Sequence, residues 1–114
     1  MSETCPSRIV LHRIGARWTV FILNALEHGP VRFTAIVSHI RGITPKVLSE
    51  SLKTLCEDGL VRRIDRNANP PHVEYELTDL GVSLLVPLRA VRLWAEEHTP
   101  DVLESRAAWS AGDR

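Results

Sequence analysis

The sequence predicts a mainly α-helical domain with a small β-hairpin, arranged as a winged helix-turn-helix. Three observations support this fold. Apolar residues recur at helical spacing through most of the first 58 positions. The period then changes to two, as in strands, and helical spacing returns near residue 78. Compact helices followed by a two-stranded wing give the outline of this fold.

The first two helices are bounded by proline and glycine. Pro6 suits the first turn of a helix, where its missing N–H is not needed, and Gly15 ends that helix. The second helix ends at His28-Gly29-Pro30, a glycine exit followed by a proline that cannot continue the helix. Its predicted apolar stripe consists of Trp18, Phe21, Ile22, Ala25 and Leu26.

A helix-turn-helix is predicted between Phe33 and Asp58. After a brief extended link at Val31-Arg32, one helix runs to a tight turn at Arg41-Gly42-Ile43. Thr44 then caps the next helix with its hydroxyl group, and Pro45 occupies its first turn. The residues expected to face the core are Phe33, Ile36, Val37, Ile40, Leu48, Leu52 and Leu55.

The wing and the last helix follow. Leu60 to Asp65 and Val73 to Leu77 are predicted strands, joined by a polar, proline-stiffened tip at 66–72. Thr78-Asp79 caps a long helix to about His98, and Thr99-Pro100 allows one further short helix. We therefore expect a winged domain with its dimerisation helices over 1–98, and a short helix with a frayed tail over 99–114.

Composition narrows the functional class. The 114 residues carry 14 basic and 14 acidic side chains, but residues 1–72 hold ten basic and six acidic ones, against four and eight in residues 73–114. We find no membrane-spanning run, export signal, phosphate-binding loop or nucleophile elbow, and the five histidines lack metal-ligand spacing. We expect a cytoplasmic, non-enzymatic protein without a metal or cofactor.

The helix after the tight turn is the candidate DNA-reading element. Its polar face fits the major groove, where such side chains meet base edges or phosphates, although a small helical bundle with a solvated face explains the same pattern. Arginines in or beside the hairpin favour DNA, because a cationic wing can reach phosphates or the minor groove. The candidate DNA-binding residues are Arg17, Arg41, Thr44, Lys46, Ser49, Glu50, Lys53 and Arg66.

The last helix is apolar nearly all round, so it must be buried on more than one side. In a chain of this size a second copy most simply covers the other side, although an ordinary core helix wrapped by the first helix would share the pattern. The candidate dimer-interface residues are Val10, Leu80, Leu84, Leu85, Leu88, Val91 and Trp94.

Cys5 is the candidate redox-sensing residue. It precedes Pro6 at the start of the first helix, where free N–H groups, the helix dipole and Arg8 favour a thiolate. Such a thiol suits oxidation or capture of an electrophile, but a helix-entry cysteine without a sensing role remains an alternative. Cys56, near the end of the candidate DNA-reading helix, is expected to have no redox role.

The chain resembles the HxlR-type winged-helix regulators, a branch of MarR-like transcription factors, over nearly its whole length. The matching motifs are Cys5-Pro6, Ile14 to Thr19, Gly29 to Phe33, Gly42 to Leu48, Leu55 to Val61, Pro70 to Thr78, Leu80-Gly81 and Trp94. The resemblance implies a homodimer, formed largely by the first and last helices, that binds operator DNA and regulates transcription.

In many members of that family a cysteine at the motif position of Cys5 senses oxidants, quinones or aldehydes. Two positions depart from the family pattern. Arg17 replaces a usual lysine and keeps the charge, whereas Ser51 replaces a common arginine in the reading helix. Two-fold symmetry predicts a palindromic operator with half-sites about one helical turn, ~34 Å, or a multiple apart. Alternatives are a small-molecule-responsive regulator with an apolar pocket at the dimer interface, and a protein-interaction domain that has lost DNA binding.

Overall fold

The computed structural model describes residues 6–14 and 16–112. Within that part, five helices and three strands follow one another. They are α1 (Pro6–Ile14), α2 (Thr19–Ala25), β1 (Val31–Arg32), α3 (Phe33–His39), α4 (Pro45–Glu57), β2 (Val61–Asp65), β3 (Val73–Leu77) and α5 (Asp79–Ser110). The predicted winged helix-turn-helix, mainly α with a small sheet, is confirmed.

The core lies between α2, α3 and α4 and is closed by β2 and α5. Five of the seven predicted inward residues of the helix-turn-helix are buried, namely Ile36, Ile40, Leu48, Leu52 and Leu55. Phe33 and Val37 are only half-buried and pack against that core. In α2 the prediction needs a correction, because Leu23 is fully buried while Phe21 is 54% exposed. The helix turns a narrower stripe inward than its apolar sequence suggests, and the ring of Phe21 packs against Trp18 at the surface.

The wing contains one more strand than predicted. Val31-Arg32, expected to be an extended link, forms β1 and pairs antiparallel with β3, so the sheet order is β1-β3-β2. Val31 lies opposite Tyr75, and Arg32 lies opposite Glu74. Because Arg32 is also the N-cap position of α3, the sheet is attached directly to the helix-turn-helix.

The start of α5 is fastened to the turn between α4 and β2. The Thr78 hydroxyl accepts the N–H of Gly81 at 3.1 Å and donates to the carbonyl of Gly59. The Thr78 N–H donates to the carbonyl of Leu60 at 3.1 Å. Gly81 is required here, since a Cβ at this position would lie 2.1 Å from the Leu60 carbonyl oxygen.

The long helix does not end near His98. α5 continues through Thr99 and Pro100 to Ser110, so the predicted break and separate short helix are wrong. Pro100 removes one helical hydrogen bond and its ring crowds the preceding turn, but the surrounding residues are exposed, so water can bind the freed carbonyl. The Thr99 hydroxyl bonds the Ala95 carbonyl, giving that part of the helix another local bond.

Candidate nucleic-acid interface

α4, the second helix of the helix-turn-helix, presents a continuous polar face to solvent. Lys46, Ser49, Glu50 and Lys53 are all exposed and recur at the spacing of one helix face. The opposite face is held in the core by its three leucines, so the rotation of α4 about its axis is fixed. These four side chains are available to a ligand; their contact with DNA stays a prediction. We call them the reading face.

The turn before α4 fixes the start of that face. Thr44 is the N-cap, and its hydroxyl accepts the N–H of Val47 at 3.2 Å, as predicted from the Thr-Pro sequence. Gly42 has φ +90°, a conformation that side chains other than glycine rarely adopt. Arg41, beside it in the turn, is exposed. The turn therefore places Arg41 and Thr44 next to the N-terminal end of the reading face.

A groove separates α4 from the segment between α1 and α2. It encloses about 160 Å³ and includes Arg17, Glu50 and Ser51 in its lining. The Arg17 guanidinium lies over the Trp18 ring, 4.9 Å from its centroid, a distance typical of a cation–π contact. Ser51, where the family resemblance predicts an arginine, is half-buried in this groove rather than on the reading face. Arg17 provides a cation beside the position of that missing arginine.

The arginines of the wing are paired with acids. Arg62 donates from Nη2 to Glu76 Oε1 at 2.8 Å, and Arg66 donates from Nη2 to Glu74 Oε1 at 2.7 Å. His72 Nε2 lies 2.7 Å from the other oxygen of Glu74. The hydrogen bond from Arg66, and to a smaller extent that from His72, lowers the pKa of Glu74, so its carboxylate stays ionised to lower pH than that of an ordinary glutamate. The wing is less positive than its arginine count suggests.

Glu74 and His72 are residues that sequence reasoning missed. Their pairing with Arg66 depends on the strand register, in which Ile64 opposes Glu74 and Asp65 opposes Val73. The sequence did contain a signal, because Glu74 and Glu76 alternate along β3 with the apolar residues that face the core. Acids on the outer face of a strand beside an arginine-containing strand form cross-strand pairs.

Of the two cysteines, Cys56 is among the described residues. Cys5, the predicted sensor, lies outside them. Cys56 is half-buried beside a groove that is lined also by Lys53, Arg63 and Tyr75. Burial raises the pKa of the Cys56 thiol, and the charge of Arg63 opposes that effect. Cys56 therefore holds little thiolate at neutral pH, which is unfavourable for reactive chemistry.

The predicted dimer-interface residues occupy different environments. Val10, Leu80, Val91 and Trp94 are exposed, whereas Leu84 and Leu85 are half-buried. Leu88 is 5% exposed and already belongs to the core of the single chain. Beyond Leu88, the large apolar side chains of α5 are exposed. The further exposed apolar residues of α5 are Val82, Val86, Leu93, Val102, Leu103 and Trp109.

An apolar cavity of about 320 Å³ lies between α1 and the start of α5. The side chains in its lining include Val10, Ile14, Leu60 and Leu84, together with the ion pair of Arg13 and Asp58. Asp58 is the C-cap residue of α4, so this ion pair links α1 to the end of the reading helix.

Within residues 6–14 and 16–112, no group of three or more His, Cys, Asp or Glu side chains is placed to hold a metal ion. No helix of the same residues has the length and apolar character needed to cross a membrane.

Comparison with known proteins agrees with this architecture. The HTH-type transcriptional regulator YtfH of Escherichia coli is 43% identical over 105 residues, which are 92% of this chain and 83% of the relative. The solved structure of a transcriptional regulator YtfH from Salmonella typhimurium is 40% identical with a TM-score of 0.83, covering 93% of this chain and 95% of that one. The redox regulator HypR in its reduced form is 33% identical with a TM-score of 0.79, covering 89% and 99%.

The family assignment rests on a match across most of the fold. Residues 13–102 match the HxlR-like helix-turn-helix family. The matched segment contains the Arg17 groove, the reading face, the wing and most of α5. The chain is a transcriptional regulator with a DNA-binding helix-turn-helix fold, and it belongs to the HxlR-like helix-turn-helix family.

Proposed function

We propose that the protein is a homodimeric, sequence-specific regulator that binds a palindromic operator in the cytoplasm and responds to oxidants or electrophiles through Cys5. The observation that carries the DNA-binding part is the reading face of α4. Its polar side chains are exposed while the other side of the helix is fixed in the core. A helix so presented can enter the major groove, with Lys46, Ser49, Glu50 and Lys53 at base edges or phosphates.

The flanking cations support the same orientation. Arg17 and Arg41 lie on the segments beside α4 and are exposed, as phosphate contacts require. Arg66 belongs to the wing, where it directly follows β2 at the start of the hairpin tip. Phosphate contacts of this kind position the protein on the duplex, whereas the reading face supplies sequence preference.

Replacing Lys46 by alanine tests the reading face. We expect weaker binding to operator DNA with an unchanged melting temperature, because the side chain is exposed and forms no hydrogen bond or ion pair within the described part of the chain. Arg106→Ala, on the exposed C-terminal part of α5 and outside the proposed dimer-interface residues, is the control for loss of one positive charge. A large fall in melting temperature for Lys46→Ala, or equal losses of affinity in both variants, would contradict the assignment.

Dimerisation is proposed from the uncovered apolar surface of α1 and α5. Val91 is 63% exposed and Trp94 is 56% exposed, on a helix whose large apolar side chains beyond Leu88 are all exposed. A second copy related by two-fold symmetry would bury the same patch on both chains. Val91→Asp should therefore convert a dimer to a monomer in analytical ultracentrifugation; a dimer of unchanged affinity would contradict this interface.

The thiol switch is proposed from sequence and similarity. Cys5 immediately precedes α1, a helix that carries part of the exposed apolar surface, and HypR is described as a redox regulator. Oxidation at Cys5 would therefore act beside the proposed dimer contact. We expect the thiol pKa of Cys5 to fall below the unperturbed value of about 8.5.

The decisive experiment is fluorescence anisotropy on the DNA upstream of the protein's own gene, with a scrambled duplex as control. The titration is performed reduced and after a thiol oxidant, for the parent protein, Cys5→Ser and Cys56→Ser. We expect oxidation to change binding in the parent and in Cys56→Ser but not in Cys5→Ser. Sequence-specific binding that does not change on oxidation would contradict the role of Cys5 as a switch, while the proposed DNA-binding function would stand.

The apolar cavity favours a second candidate, a regulator controlled by a small molecule without a thiol switch. The cavity lies beside the exposed Val10 and Leu80, which are part of the proposed dimer surface. An apolar effector bound there would contact α1, α5 and the Arg13–Asp58 pair together. A ligand that still releases DNA from Cys5→Ser would favour this candidate over the thiol switch.

A further inference from the structure

We propose that Glu74 is a positioning residue for DNA binding: its carboxylate holds the guanidinium of Arg66 in the orientation that meets a backbone phosphate. This inference rests on the proposed DNA-binding function and assigns Glu74 a role within it. A carboxylate on a wing that faces DNA repels phosphate, so its presence there is unfavourable unless it has another role. The contacts of Glu74 indicate such a role.

Arg66 is held along one edge only. Its Nε and Nη2 groups both donate to the same oxygen of Glu74, at 3.2 and 2.7 Å. A guanidinium carries five N–H donors in a rigid plane, so three remain. Within the described residues, these three meet no protein acceptor, and the Arg66 side chain is 49% exposed. The free edge can bind a phosphate while the bound edge stays on Glu74.

Glu74 is itself fixed from several sides. It lies on β3, the central strand, opposite Arg32 of β1 and Ile64 of β2. Its side chain is only 18% exposed, and its second oxygen accepts a hydrogen bond from His72 at 2.7 Å. Both carboxylate oxygens are therefore occupied, one by Arg66 and one by His72. The carboxylate cannot rotate without breaking one of these bonds.

The backbone around Arg66 is restrained as well. The Arg66 N–H donates to the carbonyl of His72 at 2.9 Å, which closes the tip loop just beyond the last strand pair. The Asp65 carboxylate accepts the N–H of Asn67 at 3.0 Å, fixing the next residue of the turn. An arginine anchored at its backbone and at one guanidinium edge loses little further freedom on binding phosphate.

Positioning and charge neutralisation predict opposite results for one substitution. Removing the Glu74 carboxylate removes a negative charge of the protein that repels the DNA, and this effect alone would raise the affinity for DNA. If Glu74 orients Arg66, Glu74→Ala instead lowers affinity, by several-fold up to the loss caused by Arg66→Ala, on the order of tenfold. Glu74→Gln retains an oxygen that accepts both Arg66 donors, so it keeps most of the affinity although it lacks the charge.

Glu76→Ala is the matched control. Glu76 lies two residues along the same strand face and pairs with Arg62 in the same manner, with Nε and Nη2 on one oxygen at 3.0 and 2.8 Å. Arg62 is not among the proposed DNA contacts. We expect Glu76→Ala to leave operator affinity unchanged or slightly higher, as loss of one acid alone requires.

The experiment measures operator affinity against salt concentration for the parent protein, Arg66→Ala, Glu74→Ala, Glu74→Gln, Glu76→Ala and Arg66→Ala/Glu74→Ala. We expect Glu74→Ala to reduce the salt slope as Arg66→Ala does, by about one per protomer. The double variant should bind no worse than Arg66→Ala alone, because both changes remove one contact. Thermal melting confirms that each variant is folded.

Failure of the proposal and failure of the proposed function give different results. A parent protein that binds no duplex specifically contradicts the DNA-binding function itself. A parent that binds specifically, with Arg66→Ala unchanged or with Glu74→Ala and Glu74→Gln both binding more tightly, overturns the positioning role alone. Equal losses in Glu74→Ala and Glu76→Ala overturn it too, since they would reflect the wing as a whole.

Discussion

Replacing Gly81 by alanine tests how closely α5 is seated against the turn between α4 and β2. A Cβ on Gly81 would lie 2.1 Å from the Leu60 carbonyl oxygen and 3.3 Å from a methyl carbon of Leu77. Real Cβ contacts essentially never fall below 3.0 Å, so α5 would have to withdraw by about 0.9 Å. The obstacle is backbone and cannot rotate away, as a side chain could.

The cost can be worked from the contacts at this junction. Withdrawal stretches the bond from the Thr78 N–H to the Leu60 carbonyl, now 3.1 Å, and a lost hydrogen bond costs about 1 kcal/mol. Overpacking adds about 1–3 kcal/mol. Alanine returns about 1 kcal/mol through its higher helix propensity. The net expectation is a loss of about 2 kcal/mol in the free energy of unfolding.

The assay is thermal and urea unfolding at one fixed protomer concentration, because a dimer's apparent stability depends on concentration. A loss of about 2 kcal/mol corresponds to a melting temperature lower by roughly 8 °C in a chain of this size. Ser83→Ala, two residues along the same helix and exposed, is the control and should change stability by about 0.5 kcal/mol or less. A Gly81→Ala protein as stable as the parent would refute the reasoning, since α5 would then shift at no cost.

Three further predictions concern the cap, the wing and Cys56. Thr44→Ala should cost about 1 kcal/mol of stability, because it removes the acceptor of the Val47 N–H, and Thr44→Ser should retain it in the same urea titration. Because the hydrogen bonds from Arg66 and His72 lower the pKa of Glu74, this pairing stabilises the fold at pH values above the ordinary glutamate pKa, and that stability is lost as the pH falls through the lower folded-state pKa. Glu74→Gln should therefore show a smaller acid-induced loss in melting temperature than the parent protein. Since burial raises the pKa of the Cys56 thiol, iodoacetamide should alkylate it at pH 7 more slowly in the folded protein than in urea, and equal rates by mass spectrometry would refute its protection.

The elements that could be predicted are those whose signals are local. Thr44-Pro45 contains its own cap and first turn, and the alternation of Val73, Tyr75 and Leu77 defines β3 without reference to distant residues. β1 was predicted only as an extended link because two residues give no period. Its strand character comes from pairing Val31 with Tyr75, far along the chain.

The candidate site divides in the same way. The reading face follows from helical spacing alone, so its exposure was predictable. The partners of Arg66 were not, since an alternation pattern does not fix the register that brings Glu74 to it. The predicted helix end near Pro100 was wrong for a related reason. A proline removes one hydrogen bond of the helix, and whether the helix tolerates that loss depends on its exposure to solvent, which the sequence pattern does not give.

The short strand β1 has a consequence for how a signal can reach DNA. β1 pairs with the central strand of the wing and passes into α3 at Arg32 without a linker. The wing and the helix-turn-helix are therefore one stiff unit, and neither can be re-aimed alone without breaking the sheet. In a dimer, an effector would then alter the distance and angle between the two rigid winged helix-turn-helix units. Operators with altered spacing between half-sites should respond differently to the effector, while the base preference within each half-site stays the same.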